Sequence, residues 1–325
     1  MSPDLPPALR LAADRLLEGV ARGGLAERAG RISQAYRAGR TSAAAIKDAA
    51  DATAYVLARL PATYAACARA FDEAARLTPA FAPRSLLDAG AGPGGAAWAA
   101  LETWPDLDET VLLDSSRTFL EMARTLSAEA APPLRDARRL KVDLAQPESW
   151  PTADLVVASY ALAEIATARQ AATVEALWAA CRGMLVLIEP GTPDGWRRIL
   201  AARRLLVAGG GEIVAPCPHA LACPLTDPDW CHFSQRLPRS RDHRLAKGAD
   251  APFEDEKFIY LAVARPTVAV APRPARILAP PRAAKPAITF KLCTPLGPVE
   301  TRIVPKRDKA AFAVARRRDW GDTLD

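Results

Sequence analysis

Four cysteines fall late in the chain, in the strings Pro216-Cys217-Pro218-His219, Ala222-Cys223-Pro224, Trp230-Cys231-His232-Phe233 and Leu292-Cys293-Thr294-Pro295. Their spacing is C-x5-C-x7-C-x61-C. Thiolates are soft donors that suit an iron–sulfur cluster or zinc. Three thiols within fifteen residues of a proline-rich polar stretch can converge on one point, which scattered core cysteines cannot. The short C-x2–4-C pairs of zinc ribbons are absent; wide, irregular spacing with Cys-Pro steps suits a four-iron cluster better, with zinc the alternative. All three histidines (His219, His232, His243) lie in the same stretch, and beside four thiols they read as neighbours of the site rather than as ligands. Cys67 and Cys181 sit singly in helical-looking segments and read as buried, inert thiols.

A second constellation lies earlier, in Leu86-Leu87-Asp88-Ala89-Gly90-Ala91-Gly92-Pro93-Gly94-Gly95. Glycines at a strand end let the backbone turn sharply and approach a ligand at the following helix N-terminus. Gly90, Gly92 and Gly95 also satisfy the G-x-G-x-x-G dinucleotide string, a weak signal alone. Asp88 would repel a pyrophosphate there, whereas its charge suits the cationic methionine moiety of S-adenosylmethionine. Asp114 ends the next strand, 26 residues after Asp88, where a carboxylate can accept from both ribose hydroxyls. Asp143, at the end of the third strand, is placed to meet the adenine amino group. The expected cofactor contacts are therefore Asp88, Gly90, Gly92, Gly94, Asp114 and Asp143. An aspartate at a strand end can equally cap the next helix.

Positioning these groups calls for alternating strands and helices. Short apolar strands are expected at 85–88, 110–114, 139–143, 154–159 and 184–189, with helices at 94–103, 116–129, 167–182 and 194–208. A sixth strand (212–215) and a seventh (257–265) flank a polar, cysteine-bearing insertion, 216–256. Such alternation specifies a doubly wound, mainly parallel α/β sheet. Residues 1–80 show apolar positions three and four apart (Leu25, Ala29, Ile32, Ala35) and read as a helical cap. Residues 81–265 form the α/β domain, and 266–325 form a basic extension containing a hairpin (288–293 with 299–304) and a basic helix (306–318). After the fourth strand the chain reads Ser159-Tyr160-Ala161-Leu162-Ala163-Glu164, without the prolines of the motif that amino-group methylation uses. Tyr160 and Glu164 are candidates for the pocket wall; no catalytic residue is assigned.

The 325 residues are half apolar, with a formal net charge of +6. Residues 265–318 hold thirteen Lys/Arg against Glu300 and Asp308, a local +11, so the rest of the chain carries −5. A basic end on a mildly acidic body suggests a polyanionic partner. The basic stretch Arg236, Arg239, Arg241, Arg244 and Lys247 is expected to share one face with the tail, drawn together by Cys293. No apolar run approaches the length of a membrane span, and acids among the first residues argue against a transit peptide. No membrane contact and no disulfide-linked partner is expected, and the setting is the cytoplasm.

The glycine loop with Asp114 resembles the class I S-adenosylmethionine methyltransferase fold, a Rossmann-like seven-stranded sheet, over residues 84–265. The wider set of strings resembles one family: Ile188-Glu189-Pro190-Gly191-Thr192-Pro193, the Cys-Pro-His and Trp-Cys-His-Phe strings, Phe253-Glu254-Asp255-Glu256-Lys257 and Asp319-Trp320-Gly321-Asp322. That family is the methyltransferase-like assembly factors of the mitochondrial ribosomal small subunit with their bacterial relatives. The resemblance implies a 4Fe–4S cluster on Cys217, Cys223, Cys231 and Cys293, and binding to small-subunit ribosomal RNA, with methyl transfer to it or assembly without turnover as the two activities. The Ala-, Arg- and Pro-heavy composition suggests a bacterial member.

Overall fold

Parallel strands covered by helices on both faces read as unbroken apolar runs rather than alternating ones. This chain follows that rule in β1 (Ser85–Ala89), β4 (Ala153–Ser159) and β5 (Cys181–Pro190), which are buried almost end to end. The computed structural model describes residues 4–325 apart from 21, 38–40, 147–148 and 249. With β2 (Glu109–Asp114), β3 (Arg138–Lys141), β6 (Glu212–Ala215) and β8 (Phe253–Ala264), the sheet runs β3-β2-β1-β4-β5-β8-β6. The first five strands are parallel, while β8 is antiparallel to both β5 and β6. This is the class I methyltransferase sheet. The order reverses between β1 and β4, so the loops after these strands open a crevice at their carboxyl ends, where open α/β sheets bind ligands.

Helices 167–180 and 193–208 cover one face, around Val156, Leu177, Trp196 and Leu261. The other face packs against N-terminal helices, with Tyr64, Phe71, Leu86, Val157 and Phe258 in one continuous core. Among those helices, Ala49–Ala58 starts on an Asp48 side-chain cap and runs through Arg59 into Leu60–Leu77. Asp51, almost fully buried, receives Arg28 and Arg31 and fixes the earlier helix Arg22–Arg37 against this pair.

The insertion differs from its expected form. Residues 216–232 are irregular, but β7 (Phe233–Pro238) then pairs antiparallel with the first half of β8, extending it beyond the sheet. Helix Arg241–Lys247 joins the two and packs on helices 22–37 and 49–58. Strand β8 therefore begins at Phe253 rather than at 257. Its acidic start is matched across the ladder by Arg236, opposite Asp255 at 2.7 Å, and by Arg239 on Glu254 at 3.2 Å.

The tail builds a second sheet from β9 (Ala275–Ile277), β10 (Arg282–Ala283), β11 (Ala287–Cys293), β12 (Val299–Pro305) and β13 (Thr323–Leu324), around Ile277, Phe290 and Leu292. The β11–β12 hairpin is the one expected. The basic helix is shorter than expected, Lys309–Ala315 capped by Asp308, so Arg316–Arg318 lie past its end.

Candidate functional site

A cavity of about 400 Å3 lies where the sheet order reverses. Its floor is the glycine loop. Gly90 and Gly92 both have positive φ, 76° and 55°, and a Cβ on Gly90 would sit 2.7 Å from that of Ala161; only glycine fits there. Asp114 closes the loop from beneath: one oxygen accepts from the Gly92 amide at 2.7 Å, the other from Ser116 at 2.8 Å. Burial raises its carboxyl above the usual range despite those two donors. Asp143 also lines the cavity, its oxygens receiving the Ala145 amide and the Gln146 side chain, each at 3.0 Å. Asp143 thus closes the turn after β3 while facing the cavity; among the described residues no helix starts there for it to cap.

Asp88 and Gly94 are not on the cavity wall. Asp88 is fully buried behind the loop; neither oxygen has a hydrogen-bond partner in normal geometry, and burial pushes its carboxyl up to about 7, against the nearby Ala97 amide. Gly94 is the left-handed cap of helix 95–103, and Gly95 and Ala96 take its expected place in the lining. A strand-end position does not reveal which side of the turn the carboxylate will take.

The segment after β4 supplies the far wall. Tyr160 has φ 58°, rare for a residue with a side chain. Its amide donates to Ile188 at 2.7 Å and its hydroxyl to Glu256 of β8 at 2.8 Å. Glu189, buried at the end of β5, accepts from Arg198 at 2.6 Å and from the Ala163 amide at 3.3 Å, and so pins the same turn. Glu164 also lines the cavity, holding the Ser42 amide at 2.6 Å and the Ser42 hydroxyl. Burial pushes its carboxyl up to about 7, against those two donors. Thr41, Ser42 and Arg59 complete the wall from the N-terminal helices. Residues 41–60 carry no motif in the sequence, so nothing there announced a part in the pocket.

Among the described residues, no three His, Cys, Asp or Glu side chains come close enough to hold one metal ion. The four late thiols nevertheless act on one another. Burial raises the Cys231 thiol well above its ordinary value, and Cys217, Cys223 and Cys293 add to the shift. Burial, then Cys217 and Cys223, push Cys293 up to about 12. Two buried arginines shape the loop. Arg203 donates to the carbonyls of His219 and Leu221 at 2.9 and 2.6 Å, and Arg276 of β9 to that of Pro216 at 3.0 Å. His219 Nε2 lies 3.4 Å from Cys293 Sγ, while His232 stacks on Trp230 and meets Trp320 edge-on. His243 lies apart from them, against Glu254. Cys67 and Cys181 are buried away from this group, as expected.

The basic residues divide by role. Arg265 stacks on Trp178 and bonds the Trp178 and Cys181 carbonyls, Arg273 bonds the Ile213 carbonyl, and Arg276 pairs with Glu73 at 2.5 Å. Arg273 and Arg276 join the tail to the body, while Arg265 ties the end of β8 to helix 167–180. Arg282, Lys285, Lys306, Arg307, Lys309 and Arg316–Arg318 are exposed without an acidic partner among the described residues. The stretch after the third cysteine is different: Arg236, Arg239 and Lys247 are ion-paired to Asp255 and Glu254, and its helix lies on the N-terminal helices. Three of the five cations expected on this half of a basic face are thus spent on Glu254 and Asp255.

Residues 49–325 match the family described as mitochondrial small ribosomal subunit Rsm22. A human protein, ribosome assembly protein METTL17, mitochondrial, is 31% identical over 287 residues, covering 83% of this chain and 61% of its own length. The Rsm22-cox11 tandem protein 2, mitochondrial, of Schizosaccharomyces pombe is 26% identical over 290 residues, covering 73% of this chain and 38% of its own. The chain thus spans less than two thirds of these relatives. Among solved structures, magnesium protoporphyrin IX methyltransferase from Synechocystis, with bound S-adenosylmethionine, aligns with a TM-score of 0.40 at 15% identity, over 64% of this chain and 84% of that one. No helix among the described residues is long and apolar enough to cross a membrane.

Proposed function

The chain belongs to the mitochondrial small ribosomal subunit Rsm22 family, and on that footing we propose that it is an assembly factor of the small ribosomal subunit that binds S-adenosylmethionine without transferring its methyl group. The observation that carries this reading is the contrast between the two walls of one cavity. The glycine loop, Asp114 and Asp143 present what a nucleoside needs: close backbone approach and carboxylates at the strand ends. The wall after β4, which would meet a methyl acceptor, is occupied by Tyr160, held in a left-handed backbone with its hydroxyl committed to Glu256.

Cys217, Cys223, Cys231 and Cys293 would hold a 4Fe–4S cluster. The soft thiolate donors and their wide C-x5-C-x7-C-x61-C spacing support this reading, with zinc the alternative; among the described residues no three of them are gathered around one point. The cluster's part is structural, since Cys293 belongs to the tail sheet and the other three to the loop after β6. The exposed tail cations then meet ribosomal RNA as phosphate contacts. The Ala-, Arg- and Pro-rich composition supports a bacterial, cytoplasmic member of the family.

Co-sedimentation with immature small subunits across a salt series tests the assignment. Binding should fall steeply with salt, and replacing Arg316, Arg317 and Arg318 by alanine should flatten the slope by up to roughly three phosphate contacts. Equal affinity for large and small subunits would refute it.

One feature favours a second reading, methyl transfer to small-subunit RNA. Glu164 faces the cavity with its carboxyl near 7, a value suited to a general base. Label transfer from radioactive S-adenosylmethionine separates the two readings.

A further inference from the structure

A second concavity, a groove of about 930 Å3, runs between helix Pro193–Ala208 and the loop after β6. It shares no wall residue with the cavity at the glycine loop. The helix has two apolar faces. Ile199, Ala202 and Leu206 pack on the sheet. Trp196, Leu200, Arg203, Arg204 and Val207, at i, i+4, i+7, i+8 and i+11, form a second stripe that lines the groove. That stripe is about 16 Å long, three helical turns. Ala222 and Leu225 belong to the wall that the loop supplies.

The polar groups of this groove are one-sided. Asp227, the single acid of its wall among the described residues, is already paired with Arg197 at 3.2 Å. Arg204 is exposed and has no acidic partner among the described residues. Trp196 and Arg203 are only 4% and 5% exposed, yet Nε1 of the first and Nε of the second find no acceptor among the described residues. Buried donors left without acceptors are costly, and an occupant that brings acceptors relieves them. The apolar surface also continues past the groove. Leu221 is 58% exposed, and a Cβ on Gly297 in the β11–β12 turn would sit 3.1 Å from it; Leu296, next in that turn, is 83% exposed. Large apolar side chains gathered at a surface mark a docking face.

We propose that this groove docks an acidic amphipathic helix of a protein partner, with its apolar face on Leu200, Val207 and Leu225 and a carboxylate on Arg204. A nucleic acid is the poorer occupant. Its phosphates need several free cations, and the groove offers one, whereas the tail offers many. The chain then carries two separate docking faces, a basic one for RNA and an apolar one for protein.

The test uses the full chain and a lactam-stapled, fluorescein-labelled helix of about 12 residues, the length that spans the groove. The peptide carries leucines on one face and glutamates beside them. A scrambled peptide of the same composition, a version with lysine for glutamate, and a single-stranded RNA oligonucleotide are the comparisons. In fluorescence anisotropy at fixed salt, the wild type should bind the glutamate helix roughly tenfold or more tighter than the scrambled or lysine peptide. Arg204→Glu should weaken the glutamate helix by roughly fivefold and strengthen the lysine helix. Ala222→Trp, which fills the groove, should weaken both. Alanine at Arg316, Arg317 and Arg318 should lower affinity for the oligonucleotide and leave the peptide unchanged. Hydrogen exchange should show the peptide protecting residues 193–208 and 220–227. A wild type that binds the glutamate helix no better than its scramble would overturn the proposal, as would protection confined to other segments. Displacement of the peptide by the oligonucleotide would make the groove an RNA site instead. A concentration-dependent dimer abolished by Ala222→Trp would make it a face between copies of this chain. Arg204 and Ala222 are both exposed; should either variant fail to fold, the wild-type comparison of the three peptides decides.

Discussion

Arg276→Met should loosen the tail from the body, and the structure sets the size of the effect. The guanidinium is 3% exposed and joins three segments: Glu73 at 2.5 Å, the Gly321 carbonyl at 2.7 Å and the Pro216 carbonyl at 3.0 Å. Stranding one member of a buried ion pair costs about 3–5 kcal/mol, and each carbonyl left without its donor adds about 1 kcal/mol. Arg76 remains on Glu73 at 2.7 Å and offsets part of this, so a net loss of about 4 kcal/mol is expected. Against a total stability of about 5–15 kcal/mol that is a large fraction. Urea unfolding of the full chain should show the lower midpoint, and limited proteolysis should cut within residues 266–325. Glu73→Gln with Arg276→Met should recover part of the loss, because the stranded carboxylate is its main source. Burial opposes ionisation of Glu73, but Arg76 and Arg276 outweigh it and hold the carboxyl below its usual value. This contribution is therefore present at neutral pH and is lost as pH falls through that depressed value, so the gap between wild type and variant should narrow there to the part owed to the two carbonyls, which does not titrate. A single variant within 1 kcal/mol of wild type, or a double variant no better than the single, would refute the reasoning.

Asp88→Asn tests the buried acid: its folded value near 7 lies above the unfolded one, so wild-type stability falls as pH rises from about 4 to 7. The variant should gain a few kcal/mol over wild type at pH 8 and nothing at pH 4, and a gain independent of pH would contradict the assignment. Gly92→Arg, at φ 55° on the cavity floor, should abolish calorimetric heat with S-adenosylmethionine while costing about 1–2 kcal/mol of stability; retained binding would remove the loop from the site. Cys293→Ser should lose iron and sulfide and expose the tail to protease, whereas Cys181→Ser, buried in the sheet core, should do neither. Stoichiometric zinc without iron, after anaerobic purification, would overturn the cluster assignment.

Much of this architecture was legible because apolar runs carry their own burial. Strands β1, β2, β4, β5 and β6 lie where unbroken Leu/Val/Ile runs placed them. The β7–β8 ladder escaped notice because its charges pair across two strands: Arg236 faces Asp255 only once the register exists. Strand β3 ends at Lys141, two residues before the expected Asp143, which is free to cap the turn beyond it. The floor of the cavity was visible in the glycines, but the roof was not. Ser42 and Arg59 are remote from the loop in sequence, and Arg59 sits at a junction between two helices in a stretch without a motif. The cysteines announced themselves by spacing, yet Arg203 and Arg276, which shape their loop, are indistinguishable in sequence from the surface arginines around them.

The most direct test is incubation of the purified holoprotein with methyl-labelled S-adenosylmethionine and immature small ribosomal subunits. One S-adenosylmethionine should be retained per chain, the protein should co-sediment with the small subunit, and no label should enter its RNA. Label in the RNA, lost again in Glu164→Gln, would contradict the central claim and establish a methyltransferase in its place.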